Sequence, residues 1–394
     1  MRKGFWCVAA LSLGPAVSNS FARFAYALIL PSMRADLGWS YTLAGWLNTA
    51  NALGYLIGAL FTIRYVSQLG NRRMFCVAMF VTAAALVGSG LTGSFGVMFV
   101  FRFIAGVSGA TVFICGGVLA SNVFARRPSL APAAIAIYFA GAGVGILVSG
   151  TGVPWLLEVH GDAAWADAWL AIGLVSVVFA IVAALAALRI EETSSGSRDS
   201  RWQAAAFPGA LAGYFLFGLG YIAYMTFIVA WMKSHGAGAL EVASTWAALG
   251  MATMLAPLAW RVPLSRWDGG RVLAAACAVT GVGALVPLLS TSLSAMIASA
   301  ACFGGGMFTA PAAITALVKR SLPKTSWGAA VAGFTAVFAV GQSIGPILTG
   351  WLADATDSLR MGLLASAVVL LLAAAVATRQ RFDGGRASGN MQEN

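Results

Sequence analysis

Arg23 is the residue of this chain best placed to do chemistry, because of where it sits. It interrupts an apolar stretch, residues 5–33 (FWCVAALSLGPAVSNSFARFAYALILPSM), that is long enough to cross a bilayer as a helix. At about 1.5 Å of rise per residue it lies roughly 15 Å from the Met33 end, near the midplane. A charge at that depth costs about 2.5–3.5 kcal/mol on insertion scales, so such residues mark functional sites by default. A guanidinium grips a carboxylate through two parallel N–H donors, which is the chemistry of anion recognition. Helical spacing puts Asn19 and Tyr26, at i−4 and i+3, on the face of Arg23. Asn48 and Asn51 in the next apolar stretch, with Tyr221, Tyr224 and Gln342 in the second half of the chain, are the other polar groups expected around a shared cavity.

The sequence supplies Arg23 with no acidic partner. No Asp or Glu occurs between Asp36 and Glu158, and none falls in the interior of an apolar stretch. Backbone carbonyls, amides, tyrosines, water or a ligand must satisfy the guanidinium. Four roles stay open: an anion anchor, a structural residue bonded to Asn48 or Asn51, a snorkelling surface residue, or a group that tunes a proton site elsewhere. Arg102 lies only about five residues, roughly 7 Å, from the outer end of its stretch. It reads first as structural, snorkelling or pairing with Asp36, and second as a substrate or gating residue. His160 and His235 fall in loops, so no buried Asp, Glu or His offers a proton relay.

The elements that position these groups follow from composition. The chain is 60% hydrophobic and 9% charged, against about a quarter charged in soluble domains. Twelve apolar stretches can span a bilayer: 5–33, 41–63, 74–92, 97–124, 132–156, 166–188, 207–232, 241–260, 271–290, 293–318, 327–352 and 360–378. The first has no short core followed by a small-residue cleavage site, so it reads as a membrane helix and not a removed signal. The fold class is therefore all-α and polytopic. A charged, Ser-rich linker at 189–206 divides a six-helix bundle at 1–188 from a second at 207–380, with a tail at 381–394.

The net charge of +11 reads as membrane topology and not as nucleic-acid binding. Arg34, Lys233 and Arg360 fall on one side, and Arg23 and Arg102 within the membrane. The rest of the 24 Lys and Arg fall on the side of the termini, including Arg64, Arg126, Arg127, Lys319, Arg320 and Lys324. That bias predicts cytoplasmic termini in a bacterial-type inner membrane. The five cysteines are scattered, and neither a metal nor a cofactor motif is present. No nucleophile elbow, HExxH or phosphate loop appears, so the chain does not read as an enzyme.

The halves repeat. Gly141, Gly145 and Gly150 recur at the same spacing as Gly341, Gly345 and Gly350, Trp46 matches Trp246, and Phe24-Ala25-Tyr26 matches Ile222-Ala223-Tyr224. This register sets Tyr221 opposite Arg23. Duplicated six-helix units are a transporter pattern, with the solute site at the midplane between the repeats.

Several motifs carry a family resemblance. Arg102-Phe-Ile-Ala-Gly106-Val-Ser-Gly109-Ala110 is similar to the arginine-and-glycine signature on helix 4 of the major facilitator superfamily. Gly70-Asn71-Arg72-Arg73 resembles the tail of its loop signature, with Ser67 where an aspartate usually stands. Gly341-Gln-Ser-Ile-Gly345-Pro346 resembles a helix 11 pattern, and Arg23-Phe-Ala-Tyr26 followed by Leu30-Pro31-Ser-Met33 resembles the YbfB/YjiJ-like branch. The resemblance implies alternating access, with Arg102, Gly106, Gly145, Gly345, Pro346, Gly70, Arg72 and Arg73 in gating or structural roles. Gly141, Gly143, Gly145, Gly341 and Gly345 are expected to pack against helices of the opposite half. The partners expected are the bilayer, a small solute and, as a coupling ion, a proton. The first expectation is a carrier for a small carboxylate-type anion. The alternatives are proton-coupled efflux of amphipathic compounds and a membrane solute sensor.

Overall fold

The computed structural model describes residues 2–125, 127, 130–190, 202–323 and 326–381. Among the described residues the twelve expected stretches become twelve helices long and apolar enough to cross a membrane. In order they are α1 (Gly4–Leu37), α2 (Tyr41–Leu69), α3 (Asn71–Gly90), α4 (Phe95–Asn122), α5 (Ala133–His160), α6 (Asp162–Ala187), α7 (Pro208–Ser234), α8 (Ala239–Arg266), α9 (Arg271–Leu289), α10 (Leu293–Ser321), α11 (Trp327–Thr356) and α12 (Leu359–Ala377). No strand occurs among the described residues. Several helices outrun their apolar stretch, as α2 does to Leu69. Most of the linker, the tail beyond residue 381, Arg126 and Lys324 lie outside the described residues.

The most irregular helix is α1. Pro15 lacks an N–H, and its ring crowds the carbonyl four residues back. From Ala16 to Phe24 the helix is π-wound: Ala25 N–H donates to the Ser20 carbonyl, five residues back, at 2.7 Å. Arg23 sits in the last turn of this segment.

In the first half α2 and α3 pack on α4, α6 on α3, and α1 runs between α4 and α5. The second half repeats this with α8 and α9 on α10, α12 on α9, and α7 against α11. The glycine repeat is the contact that makes the two halves alike. A side chain at Gly141 would strike the Ser12 carbonyl of α1, and one at Gly341 the Phe215 carbonyl of α7. Gly145 lies on Ala16 and Ser20, and Gly345 on the Leu219 carbonyl. These four therefore pack within their own halves, contrary to the sequence expectation. On α5 and α11 the glycines that meet the opposite half include Gly143, on Met254 and Gly250; Gly150, on Trp246; and Gly350, on Tyr41. Rotation explains the difference, since Gly143 lies two residues, about 200°, around the helix from Gly141 and Gly145. Gly106 holds α4 against the Asn51 carbonyl of α2, again within one half.

The halves meet along α2–α11, α5–α8 and α1–α7. The carbonyl of Pro346 presses on Gly45, and Thr49 Oγ1 donates to the Ser343 carbonyl at 2.7 Å. Asn48 Nδ2 donates to Thr226 Oγ1 at 2.5 Å. Asp354, at the end of α11, accepts the backbone N–H of Tyr41 (2.9 Å) and Thr42 (2.8 Å) and the Thr42 hydroxyl (2.5 Å). A carboxylate of one half thus caps the first turn of α2 in the other. These ties gather toward the face away from the termini and seal it.

Candidate functional site

Below that seal, on the side of the termini, a cavity of about 170 Å³ lies between the halves. Asn19, Arg23 and Phe24 reach it from α1, Tyr55 from α2 and Phe113 from α4. The second half contributes Tyr214 and Tyr221 from α7, residues 307–315 of α10, and Val331, Thr335 and Phe338 from α11. Among these lining residues Arg23 is the single charged group.

Arg23 is 5% exposed, and its Nε and Nη2 have no hydrogen-bond partner among the described residues. The guanidinium carbon stands 5.4 Å from the ring centre of Tyr55 and 6.0 Å from that of Tyr221, one ring from each half. Ring faces attract a desolvated cation by up to about 2 kcal/mol, but they satisfy no N–H. Tyr221 is itself held: its hydroxyl donates to Gln342 Oε1 at 2.9 Å, with Gln342 fully buried behind it. The rings of Tyr214, Phe217, Tyr221 and Phe338 stack nearly parallel beside it, Tyr214 and Phe338 at 4.6 Å and 13°.

The other polar residues singled out from the sequence are placed elsewhere. Tyr26 donates to the Ala44 carbonyl at 2.8 Å. The widened turn of the π segment rotates it off the face that Asn19 and Arg23 share. Asn51 Nδ2 donates to the Arg102 carbonyl at 3.2 Å and the Ala22 carbonyl at 3.4 Å. Asn48 joins the seal, and Tyr224 bonds Ser299 Oγ at 2.6 Å while stacking on Phe303. Neither asparagine bonds Arg23. Gly70, with φ +77°, closes α2 and opens α3 at the terminal face, beside Arg72 and Arg73 and away from the cavity.

Arg102 is fully buried and does not pair with Asp36, which accepts instead from Trp165 Nε1 at 2.7 Å. Its Nη1 donates to the Ala22 carbonyl at 2.6 Å, and the rings of Tyr26 and Trp169 flank it at 4.8 and 5.3 Å. Arg102 and Asn51 thus hold the backbone of the π segment at the residue before Arg23. Tyr214 and Met307 of the wall are among the apolar and aromatic residues that the sequence offers on helices 7 and 10, whereas the part on α11 was not singled out, although a signal existed. Val331, Thr335 and Phe338 continue, at spacings of four and three, the helix face that carries Gln342.

Two six-helix halves closed around a buried central cavity define a solute carrier of the major facilitator fold. The family model described as "Uncharacterised MFS-type transporter YbfB" matches residues 16–378, and the chain belongs to that family. A curated relative from Yersinia pestis, an uncharacterized MFS-type transporter, is 28% identical over 138 residues, 34% of this chain and 35% of the relative. YcaD of Escherichia fergusonii, also described as an uncharacterized MFS-type transporter, matches at 28% over the same length and shares. The match spans about a third of the length of these curated relatives. Among solved structures, a bacterial homologue of the human lysosomal transporter Spinster, inward-facing and occupied, aligns with a TM-score of 0.73 at 16% identity, over 95% of this chain and 96% of that one. The nucleoside transporter NupG aligns at 0.72 and 10% identity, over 94% and 97%. At these identities the likeness is one of fold.

Proposed function

We propose that the protein carries small organic anions across a bacterial inner membrane by alternating access, with Arg23 as the anchor for the anionic group. The observation that supports this reading is the buried guanidinium at the cavity wall. It has two donor nitrogens without partners and no carboxylate among the lining residues. Each buried donor left unmade costs about 1–3 kcal/mol. A bound carboxylate relieves that cost with charge-assisted bonds. Asn19, beside Arg23, adds a neutral polar group, and the rings of Tyr55 and Tyr221 flank the fork.

The lysine and arginine bias assigns the terminal face to the cytoplasm. The sealed face is then the periplasmic one. Among the described residues the cavity wall offers no Asp, Glu or His for a proton relay, which favours facilitated diffusion or anion exchange over proton-coupled efflux.

The test is counterflow in proteoliposomes with a panel of monocarboxylates against a lipophilic phosphonium cation. Arg23-dependent flux of carboxylates, with no cation flux, is the expected result. Cation flux overturns the reading, because an unpaired arginine repels a cation in its own cavity. Saturable binding without flux makes the protein a sensor instead.

A further inference from the structure

The lining of the cavity narrows the anion further, in a step that rests on the reading just given. We infer that the solute is a monocarboxylate bearing a single aromatic ring. Charge is the first constraint. Among the described residues Arg23 is the sole charged one on the wall, with no acidic group lining it. One carboxylate is matched there. A second carboxylate would be buried without a partner, and an ammonium would face Arg23 with no counter-ion.

Size is the second. Drug-sized ligands occupy pockets of roughly 300–1,000 Å³. The cavity here is about 170 Å³, close to the roughly 150 Å³ of an engineered apolar cavity that takes up benzene. One ring with a short acidic substituent fits this space, and a fused amphipathic drug does not.

Shape is the third. Seven of the fifteen lining residues are aromatic, against 11% of the whole chain. They are also ordered. Tyr214 and Tyr221 lie within 15° of parallel to Phe338, while Phe24 and Phe308 meet edge to face from opposite halves at 6.2 Å. A wall of aligned rings prefers a flat, polarizable body over a puckered one of the same carbon count. Arg23 stands at the Tyr221 end of that wall, so a ring lying along it brings its carboxylate to the guanidinium.

The experiment uses the purified full-length carrier in detergent, with affinities read from thermal shift and calorimetry. The probes are benzoate, cyclohexanecarboxylate, phthalate and benzylamine. Benzoate is expected to bind about three- to tenfold more tightly than cyclohexanecarboxylate, with phthalate and benzylamine weaker still. Arg23→Gln is expected to abolish benzoate binding, and Phe338→Leu to bring the benzoate-to-cyclohexanecarboxylate ratio toward one. Tyr214→Leu serves the same purpose if Phe338→Leu fails to fold. Equal, Arg23-dependent binding of benzoate and cyclohexanecarboxylate overturns the aromatic inference and leaves the anion reading standing. Tighter binding of phthalate overturns the single-charge argument alone. Binding of benzylamine in preference to the acids, binding of the acids that survives Arg23→Gln, or no binding of any acid overturns both.

Discussion

Two buried arginines serve this protein differently, and the difference lies in what their nitrogens touch. Both leave Nε and Nη2 without partners among the described residues, but Arg102 spends its Nη1 on the Ala22 carbonyl, is sandwiched by Tyr26 and Trp169 and lies off the cavity wall. Arg23 lines the cavity, with rings at its sides and no acceptor for Nε or Nη2 among the described residues. Arg102→Ala is therefore expected to lower stability by about 2–4 kcal/mol, the sum of a charge-assisted bond and a desolvated cation–π contact. Arg23→Gln is expected to leave stability unchanged or raised, because it removes a buried charge with unpaired donors, while anion flux is lost. Thermal unfolding in detergent, run beside flux, separates the two. An Arg23→Gln protein that transports normally, or that unfolds, assigns Arg23 to structure.

At the scale of elements, the seal consists of helix ends and glycines more than of apolar bulk. Asp354 caps α2 from across the interface, a contact that must break whenever that face opens. An N-cap is worth about 0.5–2 kcal/mol. Asp354→Asn keeps an acceptor but loses the charge, so the closed population should fall by up to about tenfold. Spin-label distances between positions 43 and 351, both exposed, should broaden toward longer values; an unchanged distribution removes Asp354 from the seal. Gly45→Val tests the same seam by steric means. The Pro346 carbonyl would lie 2.4 Å from the new Cβ, so flux should collapse while the folded protein is still recovered. Gly145→Val and Gly345→Val act inside single halves and should instead lower stability.

At the scale of the whole molecule, the two halves are alike in scaffold and unlike at the cavity. The glycine repeat builds the same α1–α5 and α7–α11 contact twice. The cavity then takes its cation from one half, at Arg23, and its stacked rings from the other. Such asymmetry gives a solute a charged end and an apolar end, and fixes its orientation as the halves rock. If the terminal face is cytoplasmic, a reporter fused after residue 381 should be active inside the cell. One inserted in the loop at 235–238 should be active outside it, and the reverse pattern would invert the assignment.

The sequence by itself determined the number of helices, their order and the membrane setting. Twenty-residue apolar runs have no other stable state, since lipid leaves backbone groups unsatisfied unless they bond within a helix. The sequence also determined the repeat and placed Tyr221 beside Arg23, because pseudo-symmetry transmits register from one half to the other. Only the tertiary structure decided which polar residues meet at the cavity. An even α-helical period carries Tyr26 onto the face of Arg23, but Pro15 and the π-wound turns after it break that period. Asn48, Asn51 and Tyr224 look like site residues by type, yet each meets a nearer backbone or hydroxyl partner on a neighbouring helix. Which side of a helix faces a cavity depends on rotation against neighbours, and that is set by packing between segments far apart in the chain, which composition does not encode.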